Sequence, residues 1–206
     1  MTGIIILAAG GSTRFGSPKQ LAEIHGKPLL RHAAETALEA GIGPVRVVLG
    51  AVDAPCRAVL EGLELGIVHN PAWSGGMAGS IMAGLEPWAN ADLVGVIVML
   101  ADQPGVEAEH LRKLATAFPD KSVVASRYAG QPGVPAWFSK GKFPALLELR
   151  GERGAKQVIL AEPAVGEIDL PAAAWDVDTP DDLVRAGQEF FSKAVHPHES
   201  GPCHGA

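Results

Sequence analysis

A glycine-rich run, Ala9-Gly10-Gly11-Ser12-Thr13-Arg14-Phe15-Gly16-Ser17-Pro18-Lys19, follows the apolar segment Ile4–Ala8. Glycines let successive backbone N–H groups close on an anion. Arg14 and Lys19 add two permanent cations, and a guanidinium can grip a phosphate through two parallel hydrogen bonds. The chemistry on offer is neutralisation of a polyphosphate. The plain alternative is a solvated loop with incidental charges. Spacing excludes two common phosphate motifs. Gly11 and Gly16 have the Walker A interval, but Ser17 follows where a lysine must stand. The dinucleotide pattern G-x-G-x-x-G is absent, and Leu49-Gly50 ends the next apolar run without an acid for a ribose.

The run Val94–Leu100 is the most apolar of the chain and ends in Ala101-Asp102-Gln103-Pro104. A carboxylate at the tip of a buried strand is held rigidly. Mg²⁺ needs only one or two carboxylates beside phosphates and water, so Asp102 could seat it. Asp102 could equally be a turn residue before Pro104. Near the end stands Asp176-Val177-Asp178-Thr179-Pro180-Asp181-Asp182. This cluster has two readings. Asp178 completes a metal site, or the acids cap the last helix at the positive end of its dipole. Between these segments, Asn70-Pro71-Ala72-Trp73-Ser74-Gly75-Gly76 leads to Ser80. This is turn chemistry, and Trp73 reads as a packing anchor ahead of a stacking platform.

Something must hold these loops together. Strands are predicted at Ile4–Ala8, Val45–Leu49, Gly66–Val68, Val94–Leu100 and Val123–Ala125, with weaker ones at Val134–Phe138 and Gly166–Leu170. Helices are predicted at Leu29–Ala40, Pro55–Leu63, Gly79–Leu85, Ala108–Ala117, Ala145–Leu149, Ala155–Leu160 and Asp181–Phe191. The alternation means an α/β fold with a mostly parallel sheet. In such sheets ligands sit beyond the carboxyl ends of the strands, where the glycine loop and Asp102 fall.

Composition narrows the classes. The 206 residues are 47% hydrophobic and 19% charged, with a net charge of −6. That balance is globular, and an acidic chain is a poor nucleic-acid binder. Apolar runs stay far below the roughly 18 residues of a membrane span. Two cysteines, Cys56 and Cys203, give no disulfide framework and suit a cytoplasmic protein. Residues 1–191 read as a single domain. Residues 192–206 lose periodicity and read as a disordered tail.

The segment Leu7-Ala8-Ala9-Gly10-Gly11-Ser12-Thr13-Arg14-Phe15-Gly16-x-x-Lys19 resembles the L-A-[AG]-G-x-S-x-R-[MF]-G-x-x-K signature of the MobA-like nucleotidyltransferases. Within them the chain is most similar to the molybdenum cofactor cytidylyltransferases, over roughly residues 3–191. The resemblance implies a three-layer Rossmann-like nucleotidyltransferase fold with a mixed sheet. It implies transfer of CMP from CTP to a phosphorylated pterin, with Mg²⁺ and release of pyrophosphate. Leu7, Ala8, Ala9, Gly10 and Gly11 would surround the base and phosphates. Arg14 and Lys19 would hold the triphosphate, and Asp102 and Asp178 the metal. Asn70, Gly76 and Ser80 would lie on the base or ribose side. A molybdenum hydroxylase would receive the product.

One departure concerns the acceptor. Gly130-Gln131-Pro132-Gly133-Val134-Pro135 resembles the family's G-x-x-G-H-P segment, but Val134 stands where histidine is usual. The loop Leu149–Ala155 resembles its later G-[DE]-x-G-A-R loop, whose arginines could meet a pterin phosphate or simply form a solvated basic loop. Two rival readings follow from the same resemblance: an NAD(P)H-dependent reductase of this fold, or a non-catalytic carrier of a finished pterin cofactor.

Overall fold

The structure, a computed structural model, describes residues 1–12 and 15–191. Arg14 and the proposed tail therefore lie outside the described residues. In chain order the strands are β1 (Thr2–Leu7), β2 (Glu23–Ile24), β3 (Lys27–Pro28), β4 (Val45–Leu49), β5 (Gly66–His69), β6 (Gly95–Leu100), β7 (Val123–Tyr128), β8 (Gln131–Ser139) and β9 (Gly166–Asp169). The helices are α1 (Leu29–Ala40), α2 (Asp53–Val59), α3 (Met77–Leu85), α4 (Ala108–Thr116), α5 (Phe143–Leu147), α6 (Lys156–Ala161) and α7 (Pro180–Phe191).

Seven strands form one sheet in the order β5-β4-β1-β6-β8-β7-β9. All neighbouring pairs are parallel except those of β8, which runs antiparallel to both β6 and β7. The expected mostly parallel, mixed sheet is what forms.

Side-chain alternation builds two cores. Ile4 and Ile6 of β1 face one side, with Leu30, Ala34 and Ala37 of α1 and Leu111 and Leu114 of α4. Ile5 and Leu7 face the other, with Ile81 and Leu85 of α3, Leu146 of α5 and Ile159 of α6. Both faces of the sheet are covered, which explains why the central strands read as continuous apolar runs. Helix α1 ends at Gly41, whose φ of +65° and N–H bond to the Leu38 carbonyl close the last turn.

Some boundaries differ from the sequence expectations. Helix α2 starts at Asp53, because Pro55 still fits within the first turn. Helix α5 starts at Phe143 and stops at Leu147. Strand β8 runs from Gln131 to Ser139, starting three residues before the expected Val134. The register shifts between Ala125 and Ser126 of β7: Ala125 pairs with Ala136 and Ser126 with Gly133. Val134 and Pro135 are thus left out of the ladder in a bulge, which is where a strand tolerates proline.

Candidate functional site

Strand β1 delivers Leu7, Ala8 and Ala9 to the carboxyl edge of the sheet. Their backbones are tied there: the Ala8 N–H donates to the Val48 carbonyl at 3.0 Å, and the Ala51 N–H to the Ala9 carbonyl at 3.0 Å. Gly10 then opens into solvent, with no atom within 4 Å of where a Cβ would stand. Leu7 to Gly10, Lys19, Gly76, Ser80 and Asp102 line a cavity of about 340 Å³. Gly11 lies beside it, packed on the Trp73 ring.

Gln20 shapes this loop. Its side chain is buried, and Nε2 donates to the carbonyls of Ala8 at 3.1 Å and Gly10 at 2.6 Å. Its Oε1 accepts from Ser12 Oγ at 3.1 Å. Ser12 Oγ in turn accepts from the Lys19 N–H at 3.1 Å. One amide therefore clamps both ends of the glycine loop and presents Lys19. The sequence reading passed over Gln20, since a polar residue in a polar loop carries no periodic signal.

Lys19 joins three distant segments. Its Nζ contacts Asp102 Oδ2 and donates to Asp178 Oδ1 at 3.1 Å. The Val177 N–H donates to the Asp102 carbonyl at 3.0 Å, which fixes the late acidic segment beside the tip of β6. Burial pulls the Lys19 pKa down, but Asp102 and Asp178 outweigh it, and the net is a rise above the ordinary lysine value. Lys19 stays charged. Asp176 sits close by. Burial, then the charge of Asp102, raises its carboxyl above the usual range.

The late acids divide their work. Asp182 Oδ2 accepts from the Thr179 N–H at 2.9 Å and Oγ1 at 2.7 Å, while the Asp182 N–H donates to Thr179 Oγ1 at 3.3 Å. This reciprocal cap opens α7. Asp178 is turned to Lys19 instead. Among the described residues no group of three His, Cys, Asp or Glu is arranged to hold a metal by itself. The donors present still suit a hard divalent cation: Asp102 Oδ1 is buried without a hydrogen-bond partner, and Asp178 stands one lysine away. Magnesium takes few carboxylates and completes its shell with phosphate and water.

Asn70 and Ser80 come together on the far wall. Ser80 lines the cavity, and Asn70 Nδ2 donates to its Oγ at 3.1 Å. Asn70 Oδ1 accepts from the Ala72 N–H at 3.0 Å, so the asparagine shapes the turn that carries Trp73. Gly76 has φ +108°, and a Cβ there would collide with the Gly151 backbone. The Ala78 N–H donates to the Gly151 carbonyl at 3.1 Å. This close approach brings Glu152 of the 149–155 loop to the cavity wall. No described helix is long and apolar enough to cross a membrane.

Residues 4–165 match the family model of the MobA-like NTP transferase domain. The chain is 32% identical over 195 residues to nicotine blue oxidoreductase of Paenarthrobacter nicotinovorans, covering 88% of this chain and 94% of that protein. It is 28% identical over 204 residues to the purine catabolism protein PucB of Bacillus subtilis, with the same coverages. Among solved structures it resembles Rv0371c of Mycobacterium tuberculosis, with TM-score 0.77 and 30% identity over 91% of this chain and 98% of that one. A manganese complex of Rv0371c matches at TM-score 0.74 and 29% identity, with the same coverages.

Proposed function

Because the chain belongs to the MobA-like NTP transferase domain family, we propose that it transfers a nucleotidyl group from CTP to a phosphorylated acceptor. A phosphate oxygen of the acceptor forms a bond to the α-phosphorus in line, the α–β bridge breaks, and pyrophosphate leaves. Such transfer rests on positioning and charge neutralisation more than on covalent catalysis. The single observation that carries this reading is Lys19 held between Asp102 and Asp178 at the mouth of a glycine-walled cavity.

Lys19 would steady the α-phosphate, and Arg14, from its place in the loop sequence, would take the leaving pyrophosphate. Asp102 and Asp178 would hold the divalent metal, which when bound neutralises phosphate charge. Leu7 to Gly11 would wall the nucleotide, with Gly76 and Ser80 toward the base and ribose and Asn70 positioning Ser80. The mechanism requires a phosphate oxygen of its acceptor. The resemblance implies a phosphorylated pterin, with a molybdenum hydroxylase to receive the product, but any phosphorylated ring compound supplies the same oxygen, and the walls of the acceptor side decide between them.

The likeness to nicotine blue oxidoreductase favours a second reading, hydride transfer from a nicotinamide cofactor. Thermal unfolding of the purified protein with CTP, GTP, ATP, UTP or NADPH, each with and without Mg²⁺, separates the two. A ligand at a hundredfold excess over its Kd stabilises by about 2.7 kcal/mol. A metal-dependent shift with CTP is expected. A shift with NADPH alone overturns nucleotidyl transfer and selects the reductase.

A further inference from the structure

A second hollow of about 200 Å³ adjoins the nucleotide cavity. The two share Leu7, Met77 and Leu100, so they are continuous along the carboxyl edge of β1 and β6. The rest of its wall comes from Val98, from Tyr128 of β7, from Gly133 and Val134 at the β8 bulge, and from residues 154–156.

The two polar side chains of this wall, Tyr128 and Lys156, each have a partner on the protein. The Tyr128 hydroxyl donates to the Val134 carbonyl at 2.9 Å, and Gln103 Nε2 reaches the same oxygen at 3.4 Å. Burial raises the Tyr128 pKa, so the phenol keeps that proton. Lys156 Nζ donates to Gln131 Oε1 at 2.9 Å. Val134 contributes methyl groups at the position where the resembling segment carries histidine. Met77 stands at the junction of the two cavities, 40% exposed, with its sulfur against Gly154. A heterocycle rich in hydrogen-bonding edges would leave water here and find few partners. An apolar ring loses little and covers Met77, whose sulfur packs well against aromatic edges. A dry apolar cavity of roughly 150 Å³ accommodates benzene, so this hollow has room for one or two fused rings.

The geometry points to an acceptor built on an uncharged, largely apolar aromatic of one or two rings that carries a phosphate, the rings in this hollow and the phosphate toward the nucleotide cavity. The role given to the phosphate rests on the nucleotidyl-transfer reading; the ring class rests on the wall alone.

The probe is 1-naphthyl phosphate, titrated against the full chain without nucleotide and followed by naphthalene fluorescence. One saturable site is expected, displaced neither by equimolar glucose 1-phosphate nor by equimolar 6-hydroxymethylpterin. Val134→Asp should weaken binding at least tenfold. Val134→Thr keeps the shape, adds a hydroxyl and should weaken it several-fold. A retained thermal shift with CTP reports that each variant folds, and Val134→Thr decides the matter if Val134→Asp does not. Absence of saturable binding, wild-type affinity in Val134→Thr, or tighter binding of the pterin than of the probe would overturn the inference. Naphthyl phosphate binding without a thermal shift by any of the four nucleoside triphosphates would instead overturn nucleotidyl transfer and leave the ring class standing.

Discussion

The Lys19 ammonium donates to Asp178 Oδ1 at 3.1 Å although 159 positions separate them in the chain. With Asp102 at the tip of β6, this makes one cation the meeting point of the glycine loop, the central strand and the segment before α7. The charges on those three segments are the machinery the proposed reaction needs.

Lys19→Met and Asp102→Asn should each cut CTP-dependent pyrophosphate release by about a hundredfold or more, the scale on which single charge-stabilising groups act. Assay of pyrophosphate with saturating CTP and a phosphorylated acceptor checks it. Near-normal rates in either folded variant would rule out the assigned roles.

Gln20→Ala removes three hydrogen bonds from the loop, two of them to backbone carbonyls. The expected loss of stability is about 1–3 kcal/mol. Because Gln20 acts through the loop, KM for CTP should rise by about tenfold, equivalent to roughly 1.4 kcal/mol, with kcat changed much less. Gln20→Glu cannot donate to Ala8 and Gly10 and should not restore KM. Steady-state kinetics and urea unfolding test both halves.

His110 supplies a pH dependence. It is buried on α4, and its Nε2 lies 2.8 Å from Ser126 Oγ. Ser126 Oγ donates to the Pro135 carbonyl at 2.5 Å, so the imidazole is the donor to the serine. Burial, then Lys113, pushes its pKa down from 6.5 to about 4. The unfolded chain therefore takes up this proton first. Stability contributed by neutral His110 is intact above pH 6.5 and is lost as pH falls from 6.5 toward 4. Urea midpoints should fall across that window in the wild type, and the fall should be shallower in His110→Gln.

Thr179→Ala removes the hydroxyl half of the α7 cap. A loss of about 1 kcal/mol is expected, which in a chain of this size lowers Tm by roughly 2–4 °C. Calorimetry at neutral pH measures it. An unchanged Tm would mean that Asp182 caps the helix alone.

The layered fold was legible because burial on both faces leaves an apolar run, and packing on one face leaves a helical stripe. Ile4–Leu7 and Leu29–Ala40 carry those patterns strongly. The hairpin of β2 and β3 carries neither. Its strands have two residues each, and its turn puts His25 at φ +51°, a conformation seldom announced by a non-glycine residue. Lys19 and Asp102 could be picked out by chemistry at strand ends. Which acid of the late cluster takes the α7 cap needed space, since only the structure shows Asp182 on Thr179 and Asp178 on Lys19. Gln20 was invisible because its partners are backbone carbonyls, which every residue has. The start of β8 was obscured by Pro132 and Pro135, which read as loop, although Pro132 pairs with Arg127 and the bulge accommodates Pro135.

That bulge has a consequence for how such a chain can change over evolutionary time. Val134 and Pro135 stand outside the β7–β8 ladder, so exchanging Val134 breaks no strand pairing and shifts no register. The glycine loop, Lys19 and the acids lie on other elements and are untouched by such an exchange. One strand irregularity thus separates tolerance from constraint: a descendant can reshape the hollow at Val134 by drift at a few positions while the glycine loop, Lys19 and the acids keep their arrangement.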